Sequence, residues 1–225
     1  MESLSHSRQT FDESLLNLEH SLLQMGSAAG SAVDQAVESL VRLDTAKAME
    51  VIEQDDVIDG MQHSIESECI RMLALQHPMA GDLRAVSTAL RMITDLERVG
   101  DLAVDIAKIT LKIDRELGST DYVDLRQMAK LARAMLGEAL EAFVKRDEKL
   151  VYSVCAHDDQ VDEAYRQLRT EIHNHMRSHP DDVVGGSWLI LAIHHLERIA
   201  DHAVNIAERV HFMVTGKLEP LSKRP

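Results

Sequence analysis

Two stretches of the chain, ITDLERVGDLAVDIA at residues 93–107 and IHHLERIADHAVNIA at 193–207, decide the fold, because one copies the other at a displacement of 100 residues. Self-similarity of this kind marks a duplicated structural unit. Working outward, EQDDVIDGM (53–61) matches AHDDQVDEA (156–164), and AVESLVRLD (36–44) matches ALEAFVKRD (139–147), both displaced by 103. His77-Pro78 and His179-Pro180 fall between them at 102. The order of elements is therefore kept, and the length changes lie in connections.

Each copy reads as three helices. In the first, Phe11, Leu15, Leu18, Leu22, Met25, Ala29, Ala32 and Ala36 alternate spacings of four and three, the apolar stripe of a helix in a bundle. Asp44 is placed to cap a second helix on Val51, Ile58, Ile65 and Met72. HPMAGD (77–82) ends it, since Pro78 cannot continue a helix without losing a backbone bond, and a third helix runs from about Leu83 to Arg115. The second copy repeats the scheme. Its stripe is Leu125, Met128, Ala132, Met135, Ala139 and Ala142, followed by a helix from Glu148 to Arg177. A Pro and Gly break, SHPDDVVGG (178–186), precedes a last helix from Trp188 to Val214. Short connections make neighbours antiparallel, so the expectation is all-α: two tandem three-helix bundles, six long helices, joined near Leu117 to Thr120. The bundles span 1–117 and 118–217, with 218–225 as a tail.

Composition agrees. Aromatic residues make up 3% and prolines number 4, which suits helices over sheets, and the methionines fall mostly on apolar stripes as core filler. A net charge of −14 argues against nucleic acid as a partner, because that affinity comes from Lys and Arg neutralising phosphates. MESLSHSRQTF carries no apolar signal region, no stretch is long and apolar enough to span a bilayer, and Cys69 and Cys155 form no framework. A soluble protein of the reducing cytoplasm is the expectation.

Acids recur at i and i+4: Asp55 with Asp59, Glu97 with Asp101, Asp158 with Asp162, and Glu197 with Asp201. Like charges so spaced oppose the helix by roughly 0.2–0.5 kcal/mol per pair. One such pair is ordinary on an acidic surface. Four, at matching places of two repeats and set in apolar sequence, point to metal binding. In each half one pair lies on the second helix and one on the third, so four carboxylates can converge. Asp105 extends the first row by a turn. Oxygen-only ligands suit hard or borderline divalent or trivalent ions such as magnesium, manganese or iron. Arg98 and Arg198 read as charge compensation, and His194 is within reach of the second site.

With these units on the page, the motif E-R-[VI]-[GA]-D-x-A-V-[DN]-I-A closing each half resembles the PhoU family over residues 5–215. The resemblance implies a cytoplasmic regulator, not an enzyme, with no catalytic residues. It implies work with the ATPase of a high-affinity phosphate ABC transporter and a phosphate-sensing histidine kinase, reaching the membrane only through such partners and restraining the phosphate-starvation response. It further implies iron or zinc as bound metals and a homodimer or larger assembly. Carried over by motif, Glu97, Asp101 and Asp105 join Asp55 and Asp59, while Glu197 and Asp201 join Asp158 and Asp162. Asn205 departs, standing where Asp105 stands in the first half. The rival reading, a carboxylate-bridged di-iron oxidoreductase, needs a Glu-x-x-His from each of two helices. Only Glu208 with His211 supplies one; Lys108 and Leu111 hold those places in the first half. No nucleophile elbow or phosphate loop occurs. An inert helical scaffold is the remaining alternative.

Overall fold

A computed structural model describes residues 2–115 and 120–221, with side chains from Gln9 onward. Residues 117–119 of the expected joint and 222–225 of the expected tail lie outside the described residues. The helices are α1 (Glu2–Arg42), α2 (Thr45–Glu53), α3 (Asp55–Gln76), α4 (Gly81–Arg115), α5 (Arg126–Lys145), α6 (Glu148–Ser178) and α7 (Val183–Thr215). No strand occurs among the described residues.

The repeat holds down to single backbone angles. Leu43 after α1 and Arg146 after α5 are equivalent, and both adopt the left-handed region, at φ 50° and 52°. The next residue then donates back into the helix, Asp44 N to Ser39 O at 2.8 Å and Asp147 N to Ala142 O at 3.1 Å. Both aspartates turn around as caps. Asp44 Oδ1 accepts from Lys47 N at 3.0 Å and Asp147 Oδ1 from Lys149 N at 2.8 Å, satisfying donors that a helix start leaves orphaned.

Two boundaries differ from the reading of the sequence. The second helix is interrupted at Gln54, although no Pro or Gly stands there. Gln54 stays right-handed (φ −85°, ψ −1°), its N–H still reaches Glu50 O at 3.1 Å, and Val57 N bonds Gln54 O at 3.1 Å. The ladder therefore tightens for one step to the i→i+3 pattern of a 3₁₀ turn and resumes. Conversely, Val183–Gly186, expected in a break, are the first turn of α7, and only Pro180–Asp182 form a short 3₁₀ turn. Gly186 serves close approach here: a Cβ on it would sit 2.5 Å from Met176 Cγ and 2.6 Å from its Sδ.

Each set of three rods buries its stripes, and one core cluster runs through both halves. The broadest contact in the molecule is between α4 and α7, one from each half, and α1 also packs on α5. α4 and α7 run antiparallel: Arg84 Nε donates to Met213 O at 3.0 Å, Thr88 Oγ1 to Arg209 O at 3.4 Å, and Asp95 meets His202. The second helices, α3 and α6, lie outside this central pair.

Candidate metal sites

Close packing of α3 on α4 positions the first acidic set. Ile58 lies against Gly100, where a Cβ would come within 2.9 Å of Ile58 Cδ1, so Asp55 and Asp59 flank the same level as Glu97 and Asp101. The equivalent pair in the second half is Val161 and Ala200, both fully buried. One methyl group has moved across the contact, which keeps the helix spacing.

The carboxylates feel one another. Burial and then the neighbouring Asp59, Asp101 and Asp56 hold the Asp55 carboxyl above its ordinary range, with Lys108 pulling the other way. Glu97 is raised by burial and Asp101, relieved by Arg98, and raised further by Asp59 and Asp55. In the second half burial, then Asp162, Asp201, Asp159 and Glu197, push Asp158 up to about 6. In each half four carboxylates, from α3 with α4 and from α6 with α7, thus lie close enough to influence one another. The two sets differ in counter-charge. Arg98 Nη1 donates to Asp101 Oδ2 at 2.8 Å, and its Nε lies 3.5 Å from Glu97 Oε2. Arg198 makes no ion pair among the described residues, and no basic group opposes the rise at Asp158. His194 Nδ1 does reach Glu197 Oε2, at 2.9 Å.

Donor type and charge fit a hard cation: oxygen only, several carboxylates, partly open to water. Among the described residues, however, no group of three or more His, Cys, Asp or Glu side chains is gathered tightly enough to enclose an ion as the side chains stand.

Asp105 has further partners. It accepts from Lys108 Nζ at 3.2 Å, and its charge acts on His195 of α7, whose ring burial holds below the usual histidine range. Asn205, its equivalent, donates to Asp95 Oδ1 at 3.4 Å, the atom that also meets His202 Nδ1 at 2.9 Å. Asp95 and His202 are 15% and 16% exposed, so this is a nearly closed polar contact in the α4–α7 seam. Sequence reasoning missed this seam. Its only sign was that His195 and His202 have Asp95 and Leu102, not histidines, in the first half. Glu208 and His211 are likewise engaged locally: Glu208 Oε1 accepts from Leu221 N at 3.0 Å, and buried His211 lies 3.2 Å from both Glu148 and Glu219.

The same duplicated pattern is what known proteins share. The family model described as PhoU domain matches twice, at residues 22–110 and 125–210. The chain belongs to the PhoU family. A phosphate-specific transport system accessory protein PhoU homolog from Clostridium acetobutylicum is 36% identical over 211 residues, 93% of this chain and 96% of that protein. A PhoU homolog from Pseudomonas aeruginosa is 36% identical over 94% of this chain and 88% of its own length. Two PhoU crystal structures superpose at a TM-score of 0.85. The one from P. aeruginosa (36% identity) covers 92% of this chain and 100% of that chain; the one from Streptococcus pneumoniae, titled a phosphate transport system regulatory protein (34%), covers 93% and 99%. PhoU architecture thus spans both repeats of this chain. Among the described residues no helix is long and apolar enough to cross a membrane.

Proposed function

We propose that the protein is a metal-binding accessory and regulatory component of phosphate uptake that restrains the phosphate-starvation response by docking on the transporter's ATPase and on a sensor histidine kinase. The observation that carries this reading is the match of both repeats, end to end, with proteins named as accessory to phosphate-specific transport. The relatives are named as accessory and regulatory proteins, which supports an adaptor in the cytoplasm over a catalyst. Homodimer formation belongs to the same reading.

Asp55, Asp59, Glu97 and Asp101 would hold one ion or ions and Asp158, Asp162, Glu197 and Asp201 the other, with Asp105 at the edge of the first set. A bound cation supplies positive charge where like charges face each other. Held between these carboxylates, such an ion would tie the outer helices α3 and α6 to the central pair. Arg98 does part of that neutralising in the first half without a metal. In the second half Arg166 Nη2 lies 3.7 Å from Asp162 Oδ2, so each set has one arginine beside it. Iron, zinc, manganese and magnesium all suit such donors to differing degrees, and availability selects among them.

The test is capture of the purified protein on membranes of its own source under phosphate-rich and phosphate-poor conditions. Metal content is measured on the same sample and on the Glu97→Ala, Asp101→Ala, Glu197→Ala, Asp201→Ala variant. Recovery of the transporter ATPase or the kinase, with metal lost in the variant, is the expected result. Recovery of neither partner removes the adaptor reading, and unchanged metal in the variant removes the site assignment.

A further inference from the structure

Beside Asp55 the first repeat holds a cavity of about 150 Å³. Ala28, Ala32 and Gly100 line it within, and Gln54, Asp55 and Val57 line it where the helix tightens at Gln54. The second repeat puts larger side chains at two equivalent places, Leu131 for Ala28 and Met135 for Ala32, while Ala200 for Gly100 is offset by Val161 for Ile58. Met135 and Ala200 are fully buried. Glu138, equivalent to Gln35 on the cavity wall, is tied to His157 and to Ser153, each at 3.1 Å.

The two copies therefore share a fold and acids but line this place with side chains of different size. The place opens to solvent past Ser31, Gln54 and Val57, and the second copy shows that this backbone accepts larger side chains at the positions of Ala28 and Ala32. The walls restrict what belongs inside. They are mostly apolar, which disfavours a hydrated ion, and Asp55, with Asp56 and Asp59 nearby, repels an anion such as phosphate. A cavity of this size holds an organic group of about six heavy atoms, the size of benzene. An apolar body with one cationic end matches both wall and mouth. Ser31, Gln35 and Gln54, also in the lining, offer oxygen acceptors to the remaining protons of an ammonium group.

We propose that this cavity binds a small aliphatic ammonium compound, its hydrocarbon chain between α1 and α4 and its ammonium group on the Asp55 carboxylate, and that the first repeat alone does so. The cavity is a ligand site distinct in chemistry from the acidic faces, although Asp55 belongs to both.

Titration calorimetry of n-butylammonium chloride into the full chain freed of divalent ions tests it, with n-butanol and methylammonium chloride in parallel. One butylammonium is expected per chain, with both controls at least tenfold weaker because each lacks half of the match. Ala32→Met, which copies Met135, and the isosteric Asp55→Asn each weaken butylammonium at least tenfold, whereas Asp158→Asn in the other repeat leaves it unchanged. Absence of binding, butanol binding as well as butylammonium, or binding that survives both first-repeat variants overturns the proposal. If circular dichroism finds Ala32→Met unfolded, Asp55→Asn decides alone. Neither partners nor metals enter the measurement, so its failure leaves the phosphate reading standing.

Discussion

Asp158 carries the strongest consequence of crowding carboxylates without a basic neighbour. Its folded pKa near 6 lies above the ordinary aspartate value, so the folded chain holds this proton more tightly than the unfolded one. The contribution to stability is fully present below about pH 4 and is lost as pH rises through about 6. In chelated protein at pH 7.5, Asp158→Asn therefore raises Tm, and its advantage over the parent shrinks as pH falls from 6 towards 4. At this half-exposed position screening keeps the effect to about 1 kcal/mol, or about 2–4 °C for a chain of this size. A divalent ion that binds the parent reverses the order, adding about 2.7 kcal/mol at a hundredfold excess over its Kd, less of which reaches the variant. Equal melting of parent and variant at pH 7.5 in chelator would contradict the crowding. Asn205 makes the complementary case. Restoring the repeat with Asn205→Asp removes the donor to Asp95 and sets a second carboxylate beside it, so urea unfolding should register a loss of about 1–3 kcal/mol and no gain of bound metal. The paired acids were legible from spacing, which places residues on faces of their own helix. The contact of Asn205 with Asp95 was not, because no spacing within one helix tells which of its faces a second bundle will cover.

Glycine separates the elements by what packs on them. Gly60 in α3 has nothing within 4 Å of a Cβ position and stands where Glu163 stands in α6, so Gly60→Ala gains helix propensity without a clash, about 0.5–1 kcal/mol. Gly186→Ala in α7 gains the same propensity but drives a methyl into Met176 near its stem, and overpacking of about 1–3 kcal/mol wins. Chemical denaturation of the two variants should move midpoints in opposite directions; a stabilised Gly186→Ala would show that α6 is free to retreat. The same pair explains what could be read beforehand. Stripes, the aspartate caps and the His-Pro turns announced the rods because they rest on local rules. A glycine pair near Pro180 reads as a breaker by those rules, and only the approach of α6 to α7 shows Gly186 to be a packing device. The step at Gln54 had no local signal at all, since its residues are competent helix formers.

At the scale of the molecule, the question is whether a duplicated chain behaves as two domains or one. Each repeat has its own three rods, which favours independence. Against this, the broadest contact joins α4 to α7 across the repeats, and a single core runs through both. Exposing that seam would uncover apolar faces of both central helices, so neither half is expected to persist when the other unfolds. The chain's one tryptophan, Trp188, lies in the second repeat and reports on that half, whereas far-UV circular dichroism reports on all the helices. The two probes should trace one coincident urea transition. A sharper version places the damage far from the reporter: Met25→Ala, at a fully buried position of α1, removes about 2–5 kcal/mol. If the repeats are one cooperative unit, the Trp188 midpoint falls as far as the dichroism midpoint. If Trp188 keeps the parent midpoint while half of the helical signal melts early, the seam is a docking surface between separable domains, and the partners of such a protein could act by prising α4 from α7.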